Sequence, residues 1–325
     1  MEMMTKLACA AAVLILSVLA LSATGSPAQP WPQRIVKLMV PLGPGSGADV
    51  TARLLADHLS KHWGQPVIVE NRPGADGIIG LTAFLASADD HVLLFTPTGT
   101  FTSHPFLHEK LTYDQNELVP IARVTNTLIS ITVPTSLKVD SLADLVALVR
   151  TQPGQHHWAS VTGATDLIFS GFLKSANLTM VRVPYRDTVQ AINDLSEGRI
   201  QAFLSAMATV RSQTAAGRIK MLAVTNRERA PITPHVPTVT EAGYPALQFD
   251  GLVGLFAPLG MPVALRERIA GDVRAVAVDP AIATRVAATG QIVSPGTPAE
   301  FAAEIDEQRA KFAAIAKGLD IQRKR

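Results

Sequence analysis

The chain has 325 residues, 47% of them hydrophobic and 17% charged, which is enough apolar material for two sizeable cores and excludes a disordered chain. Its 29 Lys plus Arg balance 27 Asp plus Glu to a formal +2, and the one basic run is Arg323-Lys324-Arg325, so no nucleic-acid partner is expected. Cys9 is the sole cysteine, which excludes disulfides, thiolate metal sites and a catalytic cysteine in the mature protein.

Lys6, the apolar run Leu7 to Leu21 and the small-residue stretch Ser22 to Ala28 predict a cleaved secretory signal peptide over residues 1–28. About fifteen apolar residues are short for a ~30 Å hydrocarbon core, and no other run is longer, so a soluble periplasmic protein is expected. Ile35 to Val40 then reads as a strand, followed by a Gly-rich turn and a helix from Asp49 to Trp63 with apolar residues at Val50, Leu54, Leu55, Leu59 and Trp63. Val67 to Val69 and Val92 to Phe95 are short continuous apolar strands of the kind a parallel sheet buries on both faces. A second unit with the same rhythm begins near residue 125: strand Leu128 to Val133, a helix opened by Ser141 and Asp144, strand His157 to Ser160 and helix Asp166 to Ala176. Strands Met180 to Val183, Ile200 to Leu204 and Lys220 to Thr225 complete it, separated by helices near Val189 to Leu195 and Thr209 to Ala216. The strand Phe249 to Ala257 precedes a helical tail, whose last helix starts at a capping box made of Thr297, Pro298 and Glu300.

The alternation implies an α/β fold with two lobes: residues 31–124 and 253–325 in the first, 125–252 in the second. Chain crossings near 121–134 and 247–257 would form a hinge beside a ligand cleft.

The turn Leu42-Gly43-Pro44-Gly45-Ser46-Gly47, between a buried strand and a helix, lets bare backbone N–H groups approach a ligand. The helix behind it carries roughly half a positive charge at its N-terminus, so an anion such as a carboxylate suits it. The same turn is also readable as a tight connection. Gly43-x-Gly45-x-x-Ala48 with Glu70 after the next strand satisfies the loose dinucleotide fingerprint and supplies the alternative, an exported or mislocalised oxidoreductase; the secretory leader and Pro44 speak against it. His58 and His62 share helical spacing but have no evident third ligand, so neither a metal nor a cofactor is expected. His156 and His157 read as turn residues, and no serine stands in a nucleophile elbow, so no catalytic residue is expected either.

Several collinear motifs give the chain a likeness from about Trp31 to its last helix. They are Pro41 to Asp49 with Arg53, Val69-Glu70-Asn71-Arg72-Pro73-Gly74-Ala75 with Gly77 and Gly80, Val183-Pro184-Tyr185-Arg186, Leu222 to Thr225, Val236-Pro237-Thr238 with Glu241-Ala242-Gly243, and Ala257-Pro258. In these the chain resembles the Bug-type receptors of tripartite tricarboxylate transporters. The resemblance implies a type II periplasmic-binding-protein architecture that holds a carboxylate between lobes and hands it to membrane transporter subunits. It implicates Leu42 to Gly47, Thr98-Gly99-Thr100 and the second-lobe loop Ser160, Thr162, Gly163, Ala164 and Thr165. Arg186 is the nearest candidate for a charged contact. The chain departs from the family where Thr162 and Ala164 replace glycines, where Ile168 stands in place of a histidine, where Asp76 and Ile78 replace Gly and Asn, and where Asp187 replaces glycine. Asp187 has two readings: an acid beside the ligand that favours an amino acid over a dicarboxylate, or an N-cap for the helix after it.

Overall fold

The computed structural model describes residues 31–161, 163–185 and 187–319; the expected leader, Thr162 and Arg186 lie outside the described residues. Eleven named strands form two mixed sheets. The first contains β1 (Val36–Val40), β2 (Val67–Asn71), β3 (Val92–Pro97), β4 (Val119–Thr127), β10 (Gly251–Ala257) and β11 (Gln291–Gly296), in the order β11-β4-β10-β3-β1-β2. The second contains β5 (Ile129–Pro134), β6 (His157–Ser160), β7 (Val181–Arg182), β8 (Ala202–Ala206) and β9 (Ile219–Val224), in the order β7-β6-β8-β5-β9. β1 pairs in parallel with β2 and β3, and β6 with β7 and β8. The strands nearest the lobe crossings, β4, β5, β9, β10 and β11, pair antiparallel. Buried apolar strands occur in both parts: β3 pairs in parallel with β1, whereas β10, buried along its whole length, pairs antiparallel with β3 and β4.

The helices are α1 (Gly47–Trp63), α2 (Ile78–Ser87), the short α3 (Thr98–Thr102) and α4 (His104–Leu107), α5 (Leu142–Thr151), α6 (Gly163–Ser175), α7 (Thr188–Ser196), α8 (Met207–Ala215), α9 (Val263–Ala277), α10 (Pro280–Ala288) and α11 (Pro298–Gly318). The expected capping box forms at α11, where Thr297 and Glu300 satisfy each other's backbone N–H, and Ser141 and Asp144, expected to open α5, make a second one. Helix α2 packs against the turn after β1 with no room to spare. A methyl group at Gly80 would lie 2.7 Å from the Arg72 carbonyl and 2.7 Å from the Pro41 side chain. Asp76, where the related family has glycine, adopts a left-handed φ of 55°, a region that Asp tolerates better than most side chains.

Each sheet has its own apolar core. Phe84, Leu94, Phe101, Phe256 and Phe301 pack on the first, with Phe256 meeting Phe101 edge-on at 5.3 Å; Ile131, Leu145, Trp158, Phe169 and Leu204 pack with the second. The last helix serves both: Phe301 and Ile305 enter the first core, whereas Phe312 joins the second. The chain passes between sheets at Leu128 and again after β9. There Thr225 N–H donates to Ile129 O at 2.9 Å and Phe249 N–H to Thr225 O at 2.8 Å. Asn226 ties the two passages, donating to Asn126 Oδ1 and Thr127 O while accepting from Ile129 N–H.

Candidate ligand-binding cleft

A cleft of about 530 Å³ opens where the two sheets meet. The first sheet's turns contribute Leu42, Gly45 to Ala48, Gly99, Thr100, Thr289 and Gln291, and the second contributes Val161, Ala164, Thr165, Ser205, Ala206, Ala208 and Thr209. Thr127, Ile129, Phe249 and Gly251, beside the chain crossings, line it as well. None of the described lining residues carries a charge. Instead the N-termini of α1, α6 and α8 open on it, through Gly47 and Ala48, Ala164 and Thr165, and Ala208 and Thr209 respectively. Each helix end adds partial positive charge and N–H groups without an intrahelical acceptor, a combination that attracts anions.

The turn before α1 is held by a buried acid. Asp49, 2% exposed, accepts Gly45 N–H at 2.8 Å, Arg53 Nη2 at 2.9 Å and Asn71 Nδ2 at 2.8 Å. Asn71 also donates to Leu42 O at 3.0 Å. Burial pushes the Asp49 carboxyl up, but the hydrogen bonds from Arg53, Gly45 and Asn71 together with the Arg53 charge outweigh it and hold the group below its ordinary value. Gly45 takes a left-handed φ of 83° to make this turn, which glycine does at no steric cost. Ser46 is the N-cap, its hydroxyl accepting Asp49 N–H at 3.2 Å. The expected set of loop donors is therefore narrower than Gly43 to Gly47. Gly45 N–H is taken by Asp49, Ser46 N–H reaches Gly43 O at 3.3 Å, and the N–H groups of Gly47 and Ala48 remain for a ligand.

The other expected site residues divide in the same way. Gly99 and Thr100 line the cleft; a methyl at Gly99 would lie 3.0 Å from Ala164 Cβ and 3.2 Å from the Phe249 ring, so glycine permits the lobes' close approach there. Thr98 is fully buried behind them, donating to Gln308 Oε1 at 2.7 Å. Ala164 and Thr165 line the opposite wall. Ser160 sits behind that wall: its hydroxyl donates to Asp166 Oδ1 at 2.8 Å, and Asp166 is paired with Arg182. Gly43, Pro44 and Gly163 flank the lining without joining it. Asp187 is the N-cap of α7, accepting Val189 N–H at 2.9 Å, and is outside the lining too; of its two readings the capping one describes its contacts.

Among the lining residues, sequence reasoning missed Ser205, Ala206, Ala208, Thr209, Thr289 and Gln291. The first four carry a usable signal, because small residues between an apolar strand and a helix mark the turn at a strand's carboxyl end where α/β sheets bind ligands. Gln291 has none: it opens β11, whose Pro295 argues against a strand except at a sheet edge, which is where β11 lies. The histidine pair does not converge on a shared site, since His58 Nδ1 lies 2.9 Å from Leu54 O and His62 Nε2 lies 3.1 Å from Asp272. The dinucleotide alternative fails on its own residues. Glu70, the would-be ribose acid, is bonded to Arg72 at 2.6 Å and paired with Lys37 at 3.4 Å, Gly45 N–H is taken by Asp49, and Gly43 is not in the cleft lining.

Residues 51–321 match the model of the tripartite tricarboxylate transporter family receptor. The chain is 30% identical to protein BugT of Bordetella pertussis over 289 residues, 85% of this chain and 87% of that protein. Among solved structures, R. palustris Rpa4515 with adipate superposes with a TM-score of 0.77 at 27% identity, covering 89% of this chain and 98% of that one. MatC from Rhodopseudomonas palustris with bound malate does so with a TM-score of 0.72 at 25% identity, covering 88% and 100%. The two-lobe architecture, an interlobe cleft whose described lining residues are uncharged, and these matches agree, and the chain belongs to the tripartite tricarboxylate transporter receptor family, whose members are solute-binding receptors and not enzymes.

Proposed function

We propose that the protein is a periplasmic receptor, exported by a cleaved leader, that captures a small carboxylate-bearing metabolite between its lobes and delivers it to membrane transporter subunits. The lobes would comprise residues 31–124 with 253–325, and residues 125–252. The observation that carries the reading is the cleft itself: α1, α6 and α8 direct their N-termini into a space lined by neutral groups. Such a site favours an anion through dipoles and N–H donors, and its apolar walls, among them Leu42, Ile129, Val161 and Phe249, suit a hydrocarbon chain. The related structures with adipate and malate support the same ligand class. Ligand contacts are proposed from Gly47, Ala48, Gly99, Thr100, Ala164 and Thr165 on facing walls, with lobe closure about the crossings at Leu128 and Thr225.

Thermal shift of the mature protein against a panel of mono- and dicarboxylates, amino acids and nicotinamide cofactors tests this. An acid at a hundred times its Kd stabilises by ~2.7 kcal/mol. A cofactor response with no acid response would overturn the reading.

A further inference from the structure

Resting on the receptor reading above, we propose that Gln291 is a ligand-contacting residue that, with the N–H groups of Gly47 and Ala48, forms a charge-neutral subsite for one carboxylate of the ligand. Gln291 is 2% exposed and lies in the cleft wall. Its carbonyl Oε1 is fixed from behind by two fully buried hydroxyls, Thr51 Oγ1 at 3.4 Å and Thr125 Oγ1. That anchoring turns the amide nitrogen towards the start of α1: a methyl group built on Gly47 would lie 2.6 Å from Nε2. Among the described residues Nε2 has no acceptor, and neither have the N–H groups of Gly47 and Ala48 beside it. Nε2 is not among the sealed, unsatisfied polar atoms of the described residues; its donor edge opens on the cleft, where water or a ligand oxygen can accept from it. The acceptor suited to an N–H pair at a helix N-terminus plus a side-chain amide is a carboxylate, which accepts several bonds at once.

The surroundings favour the same occupant. Gln291 is carried on the turn Thr289-Gly290-Gln291, which abuts the start of α8, where a methyl at Gly290 would lie 2.9 Å from Ala208 N. Arg211 secures that turn by donating to Ala288 O at 3.2 Å. The amide is thus held beside the positive end of α1, on a turn that meets the positive end of α8. Asp49, the acid nearest in sequence, faces away, with its oxygens occupied by Gly45, Arg53 and Asn71. Gly47 is required for the arrangement, since any side chain there would displace the amide and fill the space of the bound oxygen.

The test is calorimetric titration of the mature protein with adipate, L-malate and the best acid of the panel, repeated on Gln291→Met, Gln291→Glu and Gly47→Ala, with unliganded melting curves to establish folding. Gln291→Met removes the donor at nearly constant volume and is expected to weaken the acid about 10- to 100-fold, the worth of one hydrogen bond to a charged group. Gln291→Glu replaces the donor by a like charge and is expected to weaken it more than Met does. Gly47→Ala is expected to weaken it at least about tenfold by filling the subsite, and it decides the matter should a Gln291 variant fail to fold. Folded Met and Ala variants that bind within twofold of wild type overturn the subsite while leaving the receptor reading intact. A wild-type protein that binds no acid at all overturns both.

Discussion

Replacing Asp49 tests how the ligand loop is held. Asp49→Ala removes the acceptor of Gly45 N–H, Arg53 and Asn71 together. Breaking a buried charged pair by deleting one partner costs about 3–5 kcal/mol, largely because the other partner is left unpaired. Here the Arg53 side chain is 51% exposed and can rehydrate, so the lower end applies, and about 3 kcal/mol is expected. Urea unfolding followed by circular dichroism at pH 7 reads the change directly. The pH dependence gives an independent check with a definite sign. The folded-state pKa of Asp49 lies below the unfolded value, so its contribution is present in full above the unfolded pKa and is lost as pH falls through the folded one. The stability margin of wild type over Asp49→Asn should therefore be constant near neutrality and shrink progressively below about pH 5. A loss under about 1 kcal/mol for Asp49→Ala, or a margin that grows on acidification, would refute the argument that this carboxylate organises the loop.

Three further outcomes are expected. Gly80→Ala should destabilise by about 1–3 kcal/mol, because the new methyl meets the Arg72 carbonyl and the Pro41 ring, and the carbonyl cannot swing aside; urea midpoints unchanged from wild type would contradict the packing described. Asp187→Gly should cost only a few tenths of a kcal/mol as a cap replacement and leave the ratio of succinate to amino-acid affinities unaltered in titrations, whereas a tenfold change in that ratio would return Asp187 to the ligand. Glu307→Gln removes one of the two acidic partners of Arg227, which joins the α11 carboxylate to Asp250. Both side chains are more than half exposed, so a loss of at most about 1 kcal/mol that vanishes in 1 M salt is expected, and a larger, salt-independent loss would contradict a surface role.

Much of the framework is legible because it depends on neighbours in sequence. The runs of β1 and β3 are largely apolar, interrupted in β1 only by Lys37, and the caps at Ser141 and Thr297 are built from residues three apart. Legibility fails where a residue's role is decided across the fold. β4 carries Pro120, Arg123 and Asn126, yet it lies second from the edge of its sheet, between β10 and β11. The Gly-rich turn is recognisable as a candidate ligand loop, but which N–H groups face the cleft depends on Asp49 meeting Asn71, 22 residues away in sequence. Ser160 looks like a free hydroxyl until Asp166 and Arg182 are placed beside it. Gln291 becomes a cleft residue only because Thr51 and Thr125, 240 and 166 residues distant in sequence, meet at its carbonyl.

The division of labour between charges and dipoles in this cleft follows from what each costs when no ligand is bound. An unpaired cation facing a largely buried site would have to be desolvated with nothing to offset it, a penalty of several kcal/mol. A helix N-terminus or an amide carries its partial charge within a neutral group and needs no counter-ion. Among the described residues, two ion pairs stand behind the walls, Asp49 with Arg53 in one lobe and Asp166 with Arg182 in the other. Each pair includes an acid in the first turn of a helix that opens on the cleft, and each acid holds a loop group, Gly45 N–H or the Ser160 hydroxyl. These ionic interactions therefore hold the turns from which the helix ends open on the cleft, and the described lining itself is neutral. A carboxylate held by neutral donors gives up several bonds of moderate strength on leaving, and leaves no buried charge unpaired behind it.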